Sequence, residues 1–287
     1  MKRRRVDARC LRLATAFPTA ALLATVLLIA MPARAAEPGV EQVLDRYAAA
    51  RGGVERWQAV RALELSGHYA TFSQRAPFRL VRHRDDLYRL DYQVMKAPAV
   101  RARGAAGTWM RHALLSPQAS VVEDGPYRAQ LEREAYFAPL LLTAVAQRTL
   151  PEPGPLVQQG LTVELLGRGE IDGRETFELR LVLPARDDQP AAEEVWHLDA
   201  KTYLEVAIDS TAHDFTQGEA AMRQRAFYDD FRRVDGLVLP FRVELELGAR
   251  LETLEVEAVR VDPQLDPSIF EPPTDTHPDR GAGDESS

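Results

Sequence analysis

The chain reads as a mainly β protein. The expected fold is a curved antiparallel half-open barrel of about 11–12 strands, with an N-terminal helix and a helical lid insertion. Three observations predict it. Long stretches alternate apolar and polar residues at period two, as strands with one buried face require. Turn-forming pairs, Asp85-Asp86, Asp172-Gly173 and Asp235-Gly236, separate successive runs, so neighbours join as hairpins. One interruption of about 40 residues, 116–159, replaces the alternation with helical stretches and is too long for a plain connection in a meander. Sequential strands this numerous curl, and the concave face of a curled sheet needs a cover.

Residues 1–35 precede this fold. Lys2, Arg3, Arg4, Arg5, Arg9 and Arg12 make a basic region. Ala20–Met31 is apolar apart from Thr25, and Ala33-Arg34-Ala35 is a small-x-small cleavage site. The pattern is that of a cleaved secretory signal peptide, with a periplasmic destination. A retained anchor is the alternative, but an apolar run of about 12 residues falls short of the ~20 that span a bilayer. Cys10 is the sole cysteine and lies before the apolar run, where a lipidation signal would not have it. The exported chain therefore has no disulfide, thiol nucleophile or thiolate metal site. Cleavage removes seven basic residues and one acidic residue, taking the formal net charge from −7 to −13. So acidic a chain, with no basic patch, is not built for nucleic acid or anionic lipid surfaces.

The single domain spans 36–273. Val40, Val43, Leu44, Tyr47 and Ala48 recur at helical spacing, Gly52-Gly53 breaks the helix, and 54–60 continue it. Strands follow from Arg61 to Leu115. Leu63, Leu65 and Tyr69 share a face, a hairpin joins 76–84 to 87–94 (with Leu90 and Tyr92), and Gly104–Gly107 turns the next pair, which carries Trp109. In the insertion, 127–137 and the more apolar Leu140, Leu141, Leu142 and Val145 read as helices. Pro139 fits the start of the second. Strands resume at 161–169 and 174–183, where Phe177, Leu179 and Leu181 share a face, then at 194–199 and 203–210. A polar loop covers 212–219. In the closing meander Leu237, Leu239, Phe241, Val243 and Leu245 alternate with charged residues. Residues 274–287 read as a disordered tail.

Motifs for chemistry are missing. There is no Gly-x-Ser-x-Gly, His-Glu-x-x-His, phosphate loop or dinucleotide fingerprint. The six histidines show no paired ligand spacing. Asp187-Asp188 and Asp229-Asp230 are adjacent pairs that a strand would point to opposite faces. No catalytic residue, metal or cofactor is expected, although a triad assembled from distant residues would leave no such pattern. What remains is apolar surface: a cavity walled by Leu63, Leu65, Tyr69, Leu90, Tyr92, Trp109, Phe177, Leu179, Leu181, Leu237, Leu239, Phe241, Val243 and Leu245. Leu140, Leu141, Leu142 and Val145 form the lid. A barrel of this kind either packs solid or holds a ligand.

Several segments occur in a familiar order. They are Arg51-Gly52-Gly53, Leu63–Gly67, Pro139-Leu140-Leu141, Leu166–Arg174, Leu198–Thr202, Tyr228–Phe231, Asp235–Pro240 and Asp266–Phe270. Together they resemble the outer-membrane lipoprotein-sorting proteins, the LolA-like superfamily of periplasmic lipoprotein carriers. The resemblance spans about residues 40–273. It implies a half-open β-barrel, a helical lid, and a cavity that shields a lipid or lipoprotein acyl chain. It also implies a lid-locking arginine, for which Arg79, Arg82, Arg84 and Arg89 are candidates. The expected role is binding or transport, with a hydrophobic ligand and a lipoprotein or inner-membrane complex as partners. The alternative is an envelope-stress sensing or scaffold module with the same fold and no ligand.

Overall fold

The computed structural model describes residues 37–71, 74–112, 116–123, 125–150, 160–185, 190–214 and 220–273. The expected signal segment, the tail and Asp187-Asp188 lie outside them.

The chain enters through α1 (Val40–Ala50) and α2 (Val54–Ala59). Val43, Leu44, Tyr47 and Ala48 form the buried stripe of α1, as their three- and four-residue spacing demands. The break between the helices is enforced at Gly52, whose φ of +105° suits glycine. A Cβ there would stand 2.3 Å from the Gly236 carbonyl oxygen. This close approach docks the helix joint onto the Asp235-Gly236 turn. The Val238 N–H donates to the Arg51 carbonyl at 3.1 Å, and Arg56 Nε donates to the Asp235 carbonyl at 2.6 Å.

Six strands follow: β1 (Ala62–Thr71), β2 (Gln74–His83), β3 (Leu87–Val94), β4 (Ala97–Gly104), β5 (Gly107–His112) and β6 (Ser116–Val121). Next come α3 (Gly125–Glu134) and α4 (Leu140–Thr149). Seven more strands are β7 (Thr162–Ile171), β8 (Arg174–Leu183), β9 (Ala192–Asp199), β10 (Glu205–Asp214), β11 (Ala220–Val234), β12 (Leu237–Leu247) and β13 (Arg250–Val261). All thirteen form one antiparallel sheet in the order β6-β5-β4-β3-β2-β1-β13-β12-β11-β10-β9-β8-β7. No pairing among the described residues joins β6 to β7, so the sheet is a curved half-open barrel.

Some boundaries depart from the sequence reading. The helical insertion does not begin at 116, because β6 takes its first residues. Ser116-Pro117-Gln118-Ala119-Ser120-Val121 lacks apolar alternation, but β6 is an edge strand, where proline and a weak pattern are tolerated. Residues 212–214 of the expected polar loop belong instead to β10, which runs to Asp214, and 215–219 lie outside the described residues. Pro139 is the N-cap of α4 rather than a residue of its first turn.

The main core joins Val43, Leu44 and Tyr47 of α1, Trp57 of α2, Leu141, Leu142 and Val145 of α4, and Phe177, Leu179 and Leu181 of β8. Beyond β13 the chain makes a 3-10 turn, Pro267–Phe270, capped by the Asp266 carboxylate, which accepts from the Ser268 N–H at 2.9 Å. Trp109 Nε1 donates to the Phe270 carbonyl at 2.7 Å, Arg89 Nη1 donates to the Ile269 carbonyl at 2.6 Å, and Glu271 accepts from the Ala105 and Ala106 amides. The C-terminal segment is thereby fastened to β3 and to the β4–β5 turn.

Candidate ligand-binding cavity

A cavity of about 400 Å³ lies beneath the lid. Its apolar wall comes from β1 (Leu63, Leu65), β2 (Phe78, Leu80), β12 (Leu239, Val243) and β13 (Leu254, Val256). The alternation of each strand explains why these residues share one side. The lid side is made by Tyr136, Phe137, Ala138, Pro139 and Leu140, with Gln130, Arg133 and Glu134 of α3.

Polar side chains hold the lid down. The Tyr88 hydroxyl donates to Glu134 at 3.0 Å, Arg101 donates to the same carboxylate at 3.3 Å, and Gln130 Oε1 accepts from the His213 N–H at 2.6 Å. These bonds tie α3 to β3 and β4 on one side and to β10 on the other. Arg82 Nη1 donates to the Tyr136 carbonyl at 3.1 Å, between the two lid helices. Of the four candidate lid-locking arginines, Arg82 alone is seen bonded to the lid. Arg79 pairs with Glu64, Arg84 donates to the carbonyls of Trp57 and Gln58, and Arg89 pairs with Asp91.

The cavity also has charged lining. Glu205 accepts from the Tyr47 hydroxyl at 2.7 Å and from Arg51 at 3.4 Å. Burial and the Glu205 carboxylate push the Tyr47 phenol above its ordinary range. Arg51 lies 5.6 Å from the ring centroids of both Trp57 and Phe231, a placement that offsets part of the cost of burying a guanidinium. Glu194 lines the cavity and accepts from Trp196 Nε1 at 2.7 Å, and burial pushes its carboxyl up.

The predicted wall residues divide. Leu63, Leu65, Leu239 and Val243 line the cavity, as does Leu140 of the lid. Tyr69, Leu90, Phe177, Leu179, Leu181, Leu237 and Phe241 are buried in the main core, with Tyr92 packed against it. Leu141, Leu142 and Val145 join the same core. They hold the lid to the helices beneath it and are not among the residues lining this cavity. Of the expected wall, this cavity takes residues of β1 and β12, while α1 and α4 pack against the β7–β8 end. Trp109 is displaced altogether, packing with Val100 and Ala102 and bonding the C-terminal segment. Leu245 is half-buried and is not among the residues lining this cavity. Sequence reasoning missed Phe78, Leu80, Leu254 and Val256, which the same period-two alternation could have supplied. It also missed Arg133 and Glu194, which carry no sequence signal because only tertiary packing turns them inward.

Among the described residues no three His, Cys, Asp or Glu side chains could hold a metal ion. None of the described helices is long and apolar enough to cross a membrane. The chain is similar in fold to outer-membrane lipoprotein-sorting proteins. A lipoprotein-sorting protein domain from Vibrio parahaemolyticus superposes with a TM-score of 0.49 at 11% identity, over 81% of this chain and 95% of that one. A DUF1329 family protein from Desulfovibrio piger gives 0.49 at 10% identity, over 82% and 98%. A LolA superfamily protein from Nitrosomonas europaea gives 0.47 at 11% identity, over 82% and 98%. No family profile matches the chain, and no curated protein does.

Proposed function

We propose that this is a periplasmic binding or transport protein that holds a lipid, an acyl chain or another hydrophobic ligand. The cavity under the latched lid is the observation that carries this reading. Its size falls within the range of about 300–1,000 Å³ typical of small-molecule sites. An acyl chain burying on the order of 300 Å² there gains roughly 7 kcal/mol from apolar transfer, before the cost of immobilising it. Binding needs no catalytic group, and the charged side chains of the lining serve to position the lid and the ligand. A lipoprotein or an inner-membrane complex would deliver or receive the ligand once Arg82 releases the Tyr136 carbonyl. A solidly filled interaction module would have no use for this open space.

Val243→Trp tests the reading by filling the cavity from β12. The native protein, purified from the periplasm of its own host, should release lipid on extraction and bind a fluorescent fatty acid. The variant should fold with the same circular dichroism spectrum and bind neither. A native protein free of lipid and silent towards the probe would sink the proposal, as would a folded variant that binds undiminished.

A further inference from the structure

Three arginines and three glutamates line the cavity, and the two signs are unequally partnered. Glu205 is engaged by Tyr47 and Arg51, and Glu134 by Tyr88, Arg101 and Gln130. Glu194 accepts from Trp196, and its burial favours the neutral carboxyl. The cations are less well matched. The Arg133 side chain, in the last turn of α3, makes no hydrogen bond or ion pair among the described residues, and it acts on Glu194 only through its field. Arg82 uses Nη1 on the Tyr136 carbonyl, while its Nε is buried without a partner. A guanidinium facing a low-dielectric space without an acceptor is costly, and an anionic oxygen supplied by a ligand relieves that cost. The same cavity is lined by Leu63, Leu65, Leu80, Val243, Leu254 and Val256, with Leu63 paired to Arg82 across β1 and β2. The volume of about 400 Å³ lies near the small end of ligand sites, about 300–1,000 Å³, and so suits one chain rather than several.

We infer that the cavity takes a single-chain amphiphile with an anionic head, a carboxylate or a phosphate monoester, and that Arg133 receives the head with Arg82 as the second cation. The inference rests on the proposed ligand-binding role and narrows its ligand class. Glu194 is the competing acceptor for Arg133. A bound anion and an ionised Glu194 would repel each other, so the head is accommodated best when that carboxyl is neutral.

The test is displacement of a neutral fluorescent probe, N-phenyl-1-naphthylamine, from the exported chain by dodecanoate, dodecyl phosphate, dodecanol and dodecylamine. Both anions should displace it at concentrations about tenfold or more below dodecanol, the scale of a charge-assisted hydrogen bond in a buried site. Dodecyl phosphate acting first would point to a phospholipid-derived ligand, and dodecanoate acting first to a free fatty acid. Arg133→Gln should bring the anions within about twofold of dodecanol while dodecanol itself is unchanged. Glu194→Gln should tighten anion binding. Equal displacement by dodecanol and the anions, or dodecylamine acting first, overturns the inference but leaves a hydrophobic-ligand role standing. Anion preference that survives in R133Q and in the R82Q R133Q double variant also overturns it. No displacement by any of the four compounds overturns the ligand-binding role itself.

Discussion

Replacing Arg51 with methionine should destabilise the fold by about 3–5 kcal/mol, the usual cost of stranding one member of a buried ion pair. Arg51 is 3% exposed and Glu205 4% exposed, and they stand 3.4 Å apart. At an effective dielectric constant of about 20, that separation corresponds to roughly 5 kcal/mol of attraction. Methionine keeps much of the packing between Trp57 and Phe231 but leaves Glu205 with only the Tyr47 hydroxyl. With a urea m-value of about 3 kcal/mol/M, the unfolding midpoint should fall by about 1–1.7 M. A second variant separates the cost of stranding from the worth of the cluster. Tyr47→Phe, Arg51→Met and Glu205→Leu together remove the hydroxyl and both charges, and should recover to within about 2 kcal/mol of the native protein. Urea titrations of both variants, followed by tryptophan fluorescence, give the answer. A single variant within about 0.3 M of the native midpoint would show that Glu205 is solvated after all. A combined variant less stable than the single one would show that the cluster contributes net stability, and would refute the argument.

Gly52→Ala should lower Tm by about 5–10 °C, because the new Cβ meets the Gly236 carbonyl at a positive φ; an unchanged scanning-calorimetry midpoint would mean that the joint is looser than described. Trp109→Phe removes the indole donor to Phe270 at a cost of about 1 kcal/mol. Hydrogen exchange should then quicken selectively at 268–271, and uniform protection would argue against the strap. Glu194→Gln should stabilise the protein at neutral pH and have less effect near pH 4. The folded-state pKa of Glu194 is raised, so its penalty is absent below the unfolded value, appears as pH rises through that value, and is complete above the folded one. A pH-independent difference in melting temperature between the two proteins would contradict this.

Much of the fold was legible because its signals are local. The Asp172-Gly173 and Asp235-Gly236 turns fall where expected, both with positive φ. From Phe177 to Leu183 the burial of β8 alternates as the period-two pattern requires. The site was harder to read. Leu179 and Leu239 carry the same sequence signal, yet one is sealed in the core and the other faces the cavity. What separates them is the placement of α1 and α4, which cover one end of the concave face and leave the other open. Trp109 shows the same limit, since a strand with both faces covered gives no alternation to say which side a tryptophan takes. Arg133 and Glu194 read as ordinary helix and strand charges until the packing turns them inward.

Every pairing in the sheet but one joins strands consecutive in the chain; the exception is β1 with β13. Its register runs from Leu63↔Val261 to Thr71↔Glu252, and the Asp262 carboxylate that accepts from the Ala62 N–H lies 200 residues away. Each half of the sheet can therefore zip by short-range steps, whereas this seam must close a loop of the whole domain and carries most of the entropic cost. The kinetic expectation is a late seam. Val256→Ala should speed unfolding in stopped-flow measurements and leave the refolding rate almost unchanged; slowed refolding would place the seam in the nucleus instead.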